Sequence, residues 1–232
     1  MSEPEPSFDE YATDYASALE QGISVSGENK EYFARGRIAV LKKRLDAMGR
    51  SPRVVMDYGC GTGSATPYFF ETLHPERVIG VDISSKSLQV ARTAFPQRSA
   101  SFHLFEDYKP CAEVDLAFCN GVFHHIPLKE RAGAIDYVRR SLKPGGLFAF
   151  CENNPWNLGT HFVMSRIPFD RDAIKISIPE ARRLLIAGGF EVLDVKSLFY
   201  FPRSLRFLRP LESALASLPL GTQYQILSRA PS

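Results

Sequence analysis

The stretch Arg53-Val54-Val55-Met56-Asp57-Tyr58-Gly59-Cys60-Gly61-Thr62-Gly63-Ser64-Ala65-Thr66 decides the fold. An apolar run ends on a carboxylate, three glycines alternate with other residues, and a segment able to form a helix follows. That order predicts a buried strand, a tight turn and a helix N-terminus. Positions without a side chain at such a turn let a ligand lie directly against backbone N–H groups.

The spacing narrows the ligand. Gly59, Gly61 and Gly63 read G-x-G-x-G, whereas the dinucleotide fingerprint G-x-G-x-x-G would need its third glycine at Ser64. Asp57 points the same way, because a carboxylate repels a pyrophosphate and attracts an ammonium group. A second acid, Asp82, closes the next apolar run, Val78-Ile79-Gly80-Val81. It lies about twenty residues beyond the glycines, where an acid accepts hydrogen bonds from ribose hydroxyls. A ligand with a ribose at one end and a positively charged amino acid at the other meets both conditions. S-adenosylmethionine is such a molecule; a nicotinamide dinucleotide fits poorly.

Outward from this stretch, three further motifs stand in order. They are Val78-Ile79-Gly80-Val81-Asp82-Ile83-Ser84, Asp115-Leu116-Ala117-Phe118-Cys119-Asn120-Gly121-Val122-Phe123-His124-His125-Ile126 and Leu142-Lys143-Pro144-Gly145-Gly146-Leu147-Phe148-Ala149-Phe150. With Val54–Gly63 they resemble the class I S-adenosylmethionine-dependent methyltransferases of small-molecule type, over roughly residues 53–152. The resemblance implies an α/β fold: a Rossmann-like, doubly wound, mixed seven-stranded sheet with a C-terminal antiparallel hairpin and an N-terminal helical lid. It also implies an enzyme that takes S-adenosyl-L-methionine as cofactor. Residues 1–50 would be the lid segment and 51–232 the cofactor-binding domain. Within that domain, 153–178 would form an acceptor-pocket loop and 201–221 a helical insertion.

The patterning of the chain agrees with an alternating architecture. Strands are expected near 53–57, 77–82, 101–105, 114–119 and 146–151, and helices near 63–73, 85–95, 128–142 and 179–187, which calls for a mainly parallel sheet covered on both faces. Pro127 and Pro179 sit where first helical residues would be, and Gly188-Gly189 stops the last helix. Leu128, Ala132, Ile135, Val138 and Leu142 read as a core stripe. Upstream, helices are expected around 8–19 and 31–48, the second with Ile38, Leu41, Leu45 and Met48 on one face. They read either as a lid or as a plain supporting pair. Downstream, β-rich 190–200 and alternating 222–228 suggest two antiparallel strands. The 201–221 stretch between them carries Leu208, Leu211, Leu215 and Leu218 at helical spacing.

Composition excludes several classes. The chain has 232 residues and a formal charge of +2, too small a net charge to call for a nucleic-acid partner. Its four cysteines, Cys60, Cys111, Cys119 and Cys151, form no C-x-x-C pair and support neither a disulfide framework nor a metal site. No apolar run reaches bilayer-spanning length, and Met1–Pro6 is acidic and polar, so the expectation is a cytoplasmic protein. The basic group Arg35, Arg37, Lys42, Lys43, Arg44, Arg50 and Arg53 spreads around a helix and reads as a solvated face. Arg203, Arg206 and Arg209 interleave with Phe201, Leu205, Phe207 and Leu208; peripheral membrane contact or ordinary packing would each use that mixture.

The resemblance distributes roles over these residues. Asp57, Gly59, Cys60, Gly61 and Gly63 would hold the amino-acid end of the cofactor, Asp82 the ribose, and Ile83 the adenine face. Asp107, with Glu106 as rival, would accept from the adenine amino group, and Asn120 would line the methionine portion. Tyr11 and Tyr15 would close over the cofactor from the lid. His124-His125 follows the fourth strand, where the transferable methyl is expected, and histidine titrates near neutral pH. Either residue could serve as general base, with Glu152 orienting an imidazole, or the pair could only cap and pack. Asn153, Trp156 and Arg166, on the long 153–177 loop, are the candidate acceptor contacts.

Function is then methyl transfer to a small-molecule acceptor, with oxygen favoured because a base is at hand. An RNA- or protein-modifying enzyme of the same fold and a non-catalytic cofactor-binding module are the alternatives. The sequence names neither the acceptor nor the oligomeric state.

Overall fold

The computed structural model describes residues 22–97, 99–167 and 173–232. The strands are β1 (Val54–Tyr58), β2 (Arg77–Asp82), β3 (Ala100–Leu104), β4 (Val114–Asn120), β5 (Leu142–Asn153), β6 (Glu191–Leu198) and β7 (Gln223–Arg229). They form one seven-stranded sheet of order β3-β2-β1-β4-β5-β7-β6. The pairs from β3 to β5 are parallel, and β7 lies antiparallel between β5 and β6. The order reverses between β1 and β4, so a crevice opens at the carboxyl ends of those two strands. The glycine turn and the Asn120–His125 loop leave the sheet there.

Helices cover both faces. They are α1 (Lys30–Ala47), α2 (Thr66–Leu73), α3 (Ser85–Ala94), α4 (Arg131–Ser141), α5 (Leu158–Met164), α6 (Ile178–Ala187) and the short α7 (Glu212–Leu215). In β1 the alternation feeds two cores at once. Val55 packs with Ile38, Leu41 and Leu45 of α1 and Phe69 of α2, while Met56 packs with Ile135 and Val138 of α4 and Leu185 of α6. A central parallel strand is therefore apolar on both faces rather than alternating.

Local chemistry sets the helix ends. The Asn29 side chain accepts from Tyr32 N at 2.9 Å to start α1, and Ser84 caps α3 through Ser87 N at 3.1 Å. Ser177 and Glu180 form a reciprocal capping box at α6, with Pro179 in its first turn. The expectation for α4 was wrong at its start: Pro127 lies in a preceding turn, and the helix begins at Arg131. Leu128 is consequently 67% exposed, and the buried face is Ala134, Ile135 and Val138, with Leu142 already in β5. Met48 falls outside α1 as its C-cap.

Two segments carry more structure than their pattern suggested. Helix α5 lies inside the 153–177 stretch read as a loop, starting where the Asn157 side chain accepts from Thr160 N at 3.2 Å. The 201–221 segment is a 3-10 helix over Arg203–Leu211 followed by α7, because Pro210 prevents a continuous α-helix. None of its leucines is fully buried. The helix expected over 8–19 lies outside the described residues. Helix α1 packs into the core of the sheet through Ala34, Ile38, Leu41 and Leu45, and its first turns approach the crevice.

Candidate functional site

Two cavities flank the crevice and share Asn120 and Gly121 in their linings. The first, of about 420 Å³, runs from the glycine turn (Gly59, Gly61) along Asp82, Ile83 and Phe105 to His125 and Ile126. The second, of about 400 Å³, lies on the other side of Asn120 and has His124, Asn153, Phe199 and the start of α1 in its wall. They are called here the turn cavity and the far cavity.

The three glycines of the turn differ in purpose. Gly59 sits at φ +73°, and a Cβ there would lie 2.3 Å from a Val122 methyl. Gly61, at φ +51°, would meet nothing within 4 Å, so its missing side chain leaves the cavity open. Gly63 packs against the rings of Phe95 and Phe102. The turn is not a cradle of free amides. Gly59 N and Cys60 N donate to Val81 O at 2.8 and 3.1 Å, Gly63 N donates to Cys60 O at 2.9 Å, and Gly61 N donates to Asp82 Oδ2 at 2.7 Å. With four amides satisfied internally, the turn offers little to a phosphate, in keeping with the G-x-G-x-G spacing. Cys60 turns its thiol into the core beside Leu88 and Phe102, where burial pushes its pKa far up, so only its backbone faces the turn.

The acids are placed for two different tasks. Asp82 accepts from Gly61 N and from Ser84 N at 2.9 Å, yet a carboxylate has further lone pairs for hydroxyl donors. Asp57 is 4% exposed, and no hydrogen-bond donor reaches its carboxyl among the described residues. Burial first, and then the charge of Asp82, push its pKa up to about 7, while Arg37 opposes them. Those neighbours line the turn cavity and the far cavity respectively. A buried carboxyl lacking a donor fits an incoming ammonium group, and Asp82 fits ribose hydroxyls. The residues present therefore suit S-adenosylmethionine.

His124 and Glu152 form the most buried ionisable pair of the site, at 3% and 1% side-chain exposure. Glu152 Oε2 contacts His124 Nδ1 at 2.6 Å, and Oε1 accepts from Phe123 N at 2.8 Å and His124 N at 3.4 Å. The end of β5 thus clamps both the imidazole and the loop that carries it. His125 belongs to the turn cavity, its ring centre 4.1 Å from that of His124. The two adjacent histidines therefore serve opposite sides of the crevice.

Other sequence-derived candidates are dispersed. Ile83 is 68% exposed and lines the turn cavity. Asp107 and Glu106 are exposed and outside both linings; Phe105 stands there instead. Asn153 lines the far cavity. Trp156 and Arg166 line neither cavity: the turn at Asn154, whose Oδ1 accepts from Trp156 N at 3.1 Å, leaves the indole half exposed, and Arg166 stacks 4.0 Å from the Phe162 ring. Tyr11 and Tyr15 lie outside the described residues.

Several contributors escaped the sequence reading. Arg37, taken as part of a solvated basic face, enters the far cavity and donates to Gln223 Oε1 at 2.8 Å. Arg44 is likewise turned inward, donating to Gln225 Oε1 at 2.9 Å and to Asp194 O. Arg35 and Arg53 pair with Glu71 and Glu76, and Lys42 with Asp46. Arg37 and Arg44 thus turn into the fold, while Arg35, Lys42 and Arg53 form ion pairs on the surface. The three-residue step from Ile38 to Leu41 and the buried Ala34 set the inner face of α1, and Arg37 and Arg44 flank it.

Comparison with known proteins bears on the same segments. Residues 56–148 match a family profile described as a methyltransferase domain. A trans-aconitate 2-methyltransferase of Azoarcus sp. (strain BH72) is 33% identical over 127 residues, covering 53% of this chain and 49% of that protein. The chain spans about half the length of the curated relatives it matches. Among solved structures, human N-acetylserotonin methyltransferase in complex with its methyl donor superposes with a TM-score of 0.68 at 15% identity, over 100% of this chain and 61% of that one. A Haloferax volcanii complex of the Trm112 methyltransferase activator with a methyltransferase gives 0.65 at 21% identity, over 99% and 100%. These two likenesses speak for the fold alone. Residues 56–148 thus carry a methyltransferase domain, and the motif order, strand order and crevice around it are those of the class I S-adenosylmethionine-dependent methyltransferase fold.

Proposed function

We propose that the chain transfers a methyl group from S-adenosylmethionine to an oxygen of a small-molecule acceptor, with His124 as general base and Glu152 as its positioning residue. The observation that carries this reading is the buried 2.6 Å contact between His124 Nδ1 and Glu152 at the wall of the far cavity. The carboxylate on Nδ1 fixes the ring's orientation at the cavity wall and favours the protonated imidazole that forms when a base takes up a hydroxyl proton. The cofactor supplies an electrophilic methyl group on its sulfonium. Asp57 and Asp82 hold its two ends, Asn120 stands between the cavities, and the 22–37 segment closes the acceptor side as a lid. An acceptor seated in a concave, largely apolar cavity of about 400 Å³ suits a small molecule better than RNA or a protein chain.

A second reading has its own observation. Glu152 also accepts from the Phe123 and His124 amides, so it could act only as a structural clamp. Labelled methyl transfer by the full chain separates the two. His124→Ala should lower kcat by about 10²–10⁴-fold, the range of a general base, with cofactor affinity retained. Glu152→Gln, which can still accept hydrogen bonds, should shift the pH profile of kcat. His125→Ala should act on the cofactor KM instead. Near-normal turnover of His124→Ala would remove the base assignment.

A further inference from the structure

The far cavity has a chemistry that its relatives' names do not suggest. Its wall is dominated by Val25, Phe33, Phe162, Met164, Ile167 and Phe199. Its charges are few and mostly answered. Glu28 pairs with Arg209 at 2.8 Å, with both side chains largely buried, and the Arg209 guanidinium lies 4.5 Å above the ring of Tyr32. Arg37 bonds Gln223 and sits in the field of Asp57. Against Glu28, the only cations in the described lining are Lys30 and Arg37. Many of the neutral polar groups are also taken: Thr160 Oγ1 donates to Thr222 O at 2.7 Å, Asn157 Nδ2 to Leu220 O at 2.7 Å, and Tyr200 Oη to Leu215 O at 2.6 Å.

From this lining we infer that the acceptor is a neutral, predominantly hydrophobic molecule with a single weakly acidic hydroxyl, not a polycarboxylate such as trans-aconitate. The inference rests on the methyl-transfer reading for the word acceptor, but its claim about the ligand stands on the cavity alone. A tricarboxylate would bring three charges into a cavity whose described cations are outnumbered by them and partly engaged, and unpaired buried carboxylates are strongly penalised. A neutral ring system instead buries apolar surface against phenylalanine and methionine side chains, which gain contact without desolvating charge. Its hydroxyl would be the group that meets His124 at the wall of the cavity. In the transfer step the acceptor oxygen forms the new bond to carbon, the carbon–sulfur bond breaks, and the hydroxyl proton passes to the imidazole.

The test uses the full chain saturated with S-adenosylhomocysteine, with calorimetric titration of 1-naphthol, naphthalene and trans-aconitate. Labelled methyl transfer to 1-naphthol and trans-aconitate is then measured with the labelled donor. The expected result is that both ring compounds bind at least ten-fold more tightly than the tricarboxylate. Phe162→Ser, at a half-exposed wall position, removes the ring without placing a second cation beside Arg166 and should weaken naphthol binding at least five-fold, and Phe162→Leu should restore most of it. Tighter binding and labelling of trans-aconitate would overturn the inference while leaving methyl transfer standing. Failure of both ring compounds to bind would overturn it as well. Binding of naphthol that Phe162→Ser weakens, with no label on any acceptor, would uphold the cavity's chemistry and remove the transfer reading instead.

Discussion

The two cavities meet at Asn120 and Gly121 but are built in opposite ways. The turn cavity is assembled from strand ends and the short loops that follow β1, β2, β3 and β4, together with one face of α4. The far cavity draws on the 22–37 segment, α5, the Phe199–Pro202 bend and the start of β7, which are far apart in sequence. Parallel strands in register deliver their ends to one edge without further instruction, so the turn cavity follows from the sheet itself. The far cavity depends on side-chain ties between distant segments, such as Glu28 to Arg209 and Asn154 to Gly221. One side of the crevice is fixed by topology and the other by tertiary pairing, which leaves the second freer to vary in what it admits.

The largest effects should come from the side fixed by topology. At Gly59, positive φ and a 2.3 Å approach to Val122 combine, so Gly59→Val should cost about 3 kcal/mol or more and abolish cofactor binding. Gly61→Ala tests the same turn differently. Its Cβ would meet only open space, so strain alone should cost about 1 kcal/mol, yet the methyl group intrudes where the ligand lies. Thermal denaturation should separate the two variants sharply, while calorimetric titration with S-adenosylmethionine should show both impaired. A Gly59→Val protein of native stability would break the claim that close approach at β4 fixes this side.

Asp57 gives the next effect, and its sign is unusual. Its folded pKa, near 7, lies above the ordinary value of 3.8, so the folded state holds the proton more firmly than the unfolded chain does. Stability from this group is therefore complete below about pH 4 and is lost as pH rises toward 7. Asp57→Asn should raise the melting temperature of the ligand-free protein at pH 8, by an amount that fades as pH falls to 4. The same variant should bind cofactor more weakly, because an amide does not attract an ammonium group as a carboxylate does. Cofactor binding near pH 7 should also release a proton from the native protein, visible as a calorimetric enthalpy that depends on buffer ionisation. A variant less stable than the parent at pH 8 would show that Asp57 is held by a donor rather than buried without one.

The same contrast explains what could be read in advance. The run from Arg53 to Thr66 and the acid at Asp82 were legible because β1 is apolar on both faces and each strand ends on a residue that the register delivers to the crevice. The mainly parallel sheet and the antiparallel β6–β7 pair follow from alternation and from the absence of a long crossover. The inward turn of Arg37 was not legible, because hydrophobic periodicity in α1 marks Ile38 and Leu41 but is silent on a flanking cation whose partner, Gln223, is far along the chain. Helix α5 was hidden for a similar reason. Its seven residues, Leu158–Met164, are too few for a periodic signal, and Asn157 starts it with a cap that also serves loops. Trp156 and Arg166 are candidates by residue type, and where they stand relative to the two cavities was not legible because it depends on the turn at Asn154 and on the stacking with Phe162.

The smallest expected effect on cofactor binding probes the tertiary ties directly. Arg209 bridges Glu28 and the face of Tyr32, joining the 3-10 segment of 203–211 to the stretch that precedes α1. Arg209→Met keeps most of the side-chain bulk but removes the charge, leaving Glu28 largely buried without this partner. Leaving a mostly buried carboxylate without its donor should cost about 1–3 kcal/mol, so the melting temperature should fall by several degrees. The informative readout is the division between ligands. If the far cavity is held by such ties and the turn cavity by the sheet, acceptor KM should rise several-fold while the Kd for S-adenosylmethionine stays within two-fold of the parent. Equal weakening of both ligands would mean that the cavities are one mechanical unit, because loosening the 22–37 segment would then reach the turn cavity through Asn120 and the residues around Asp57.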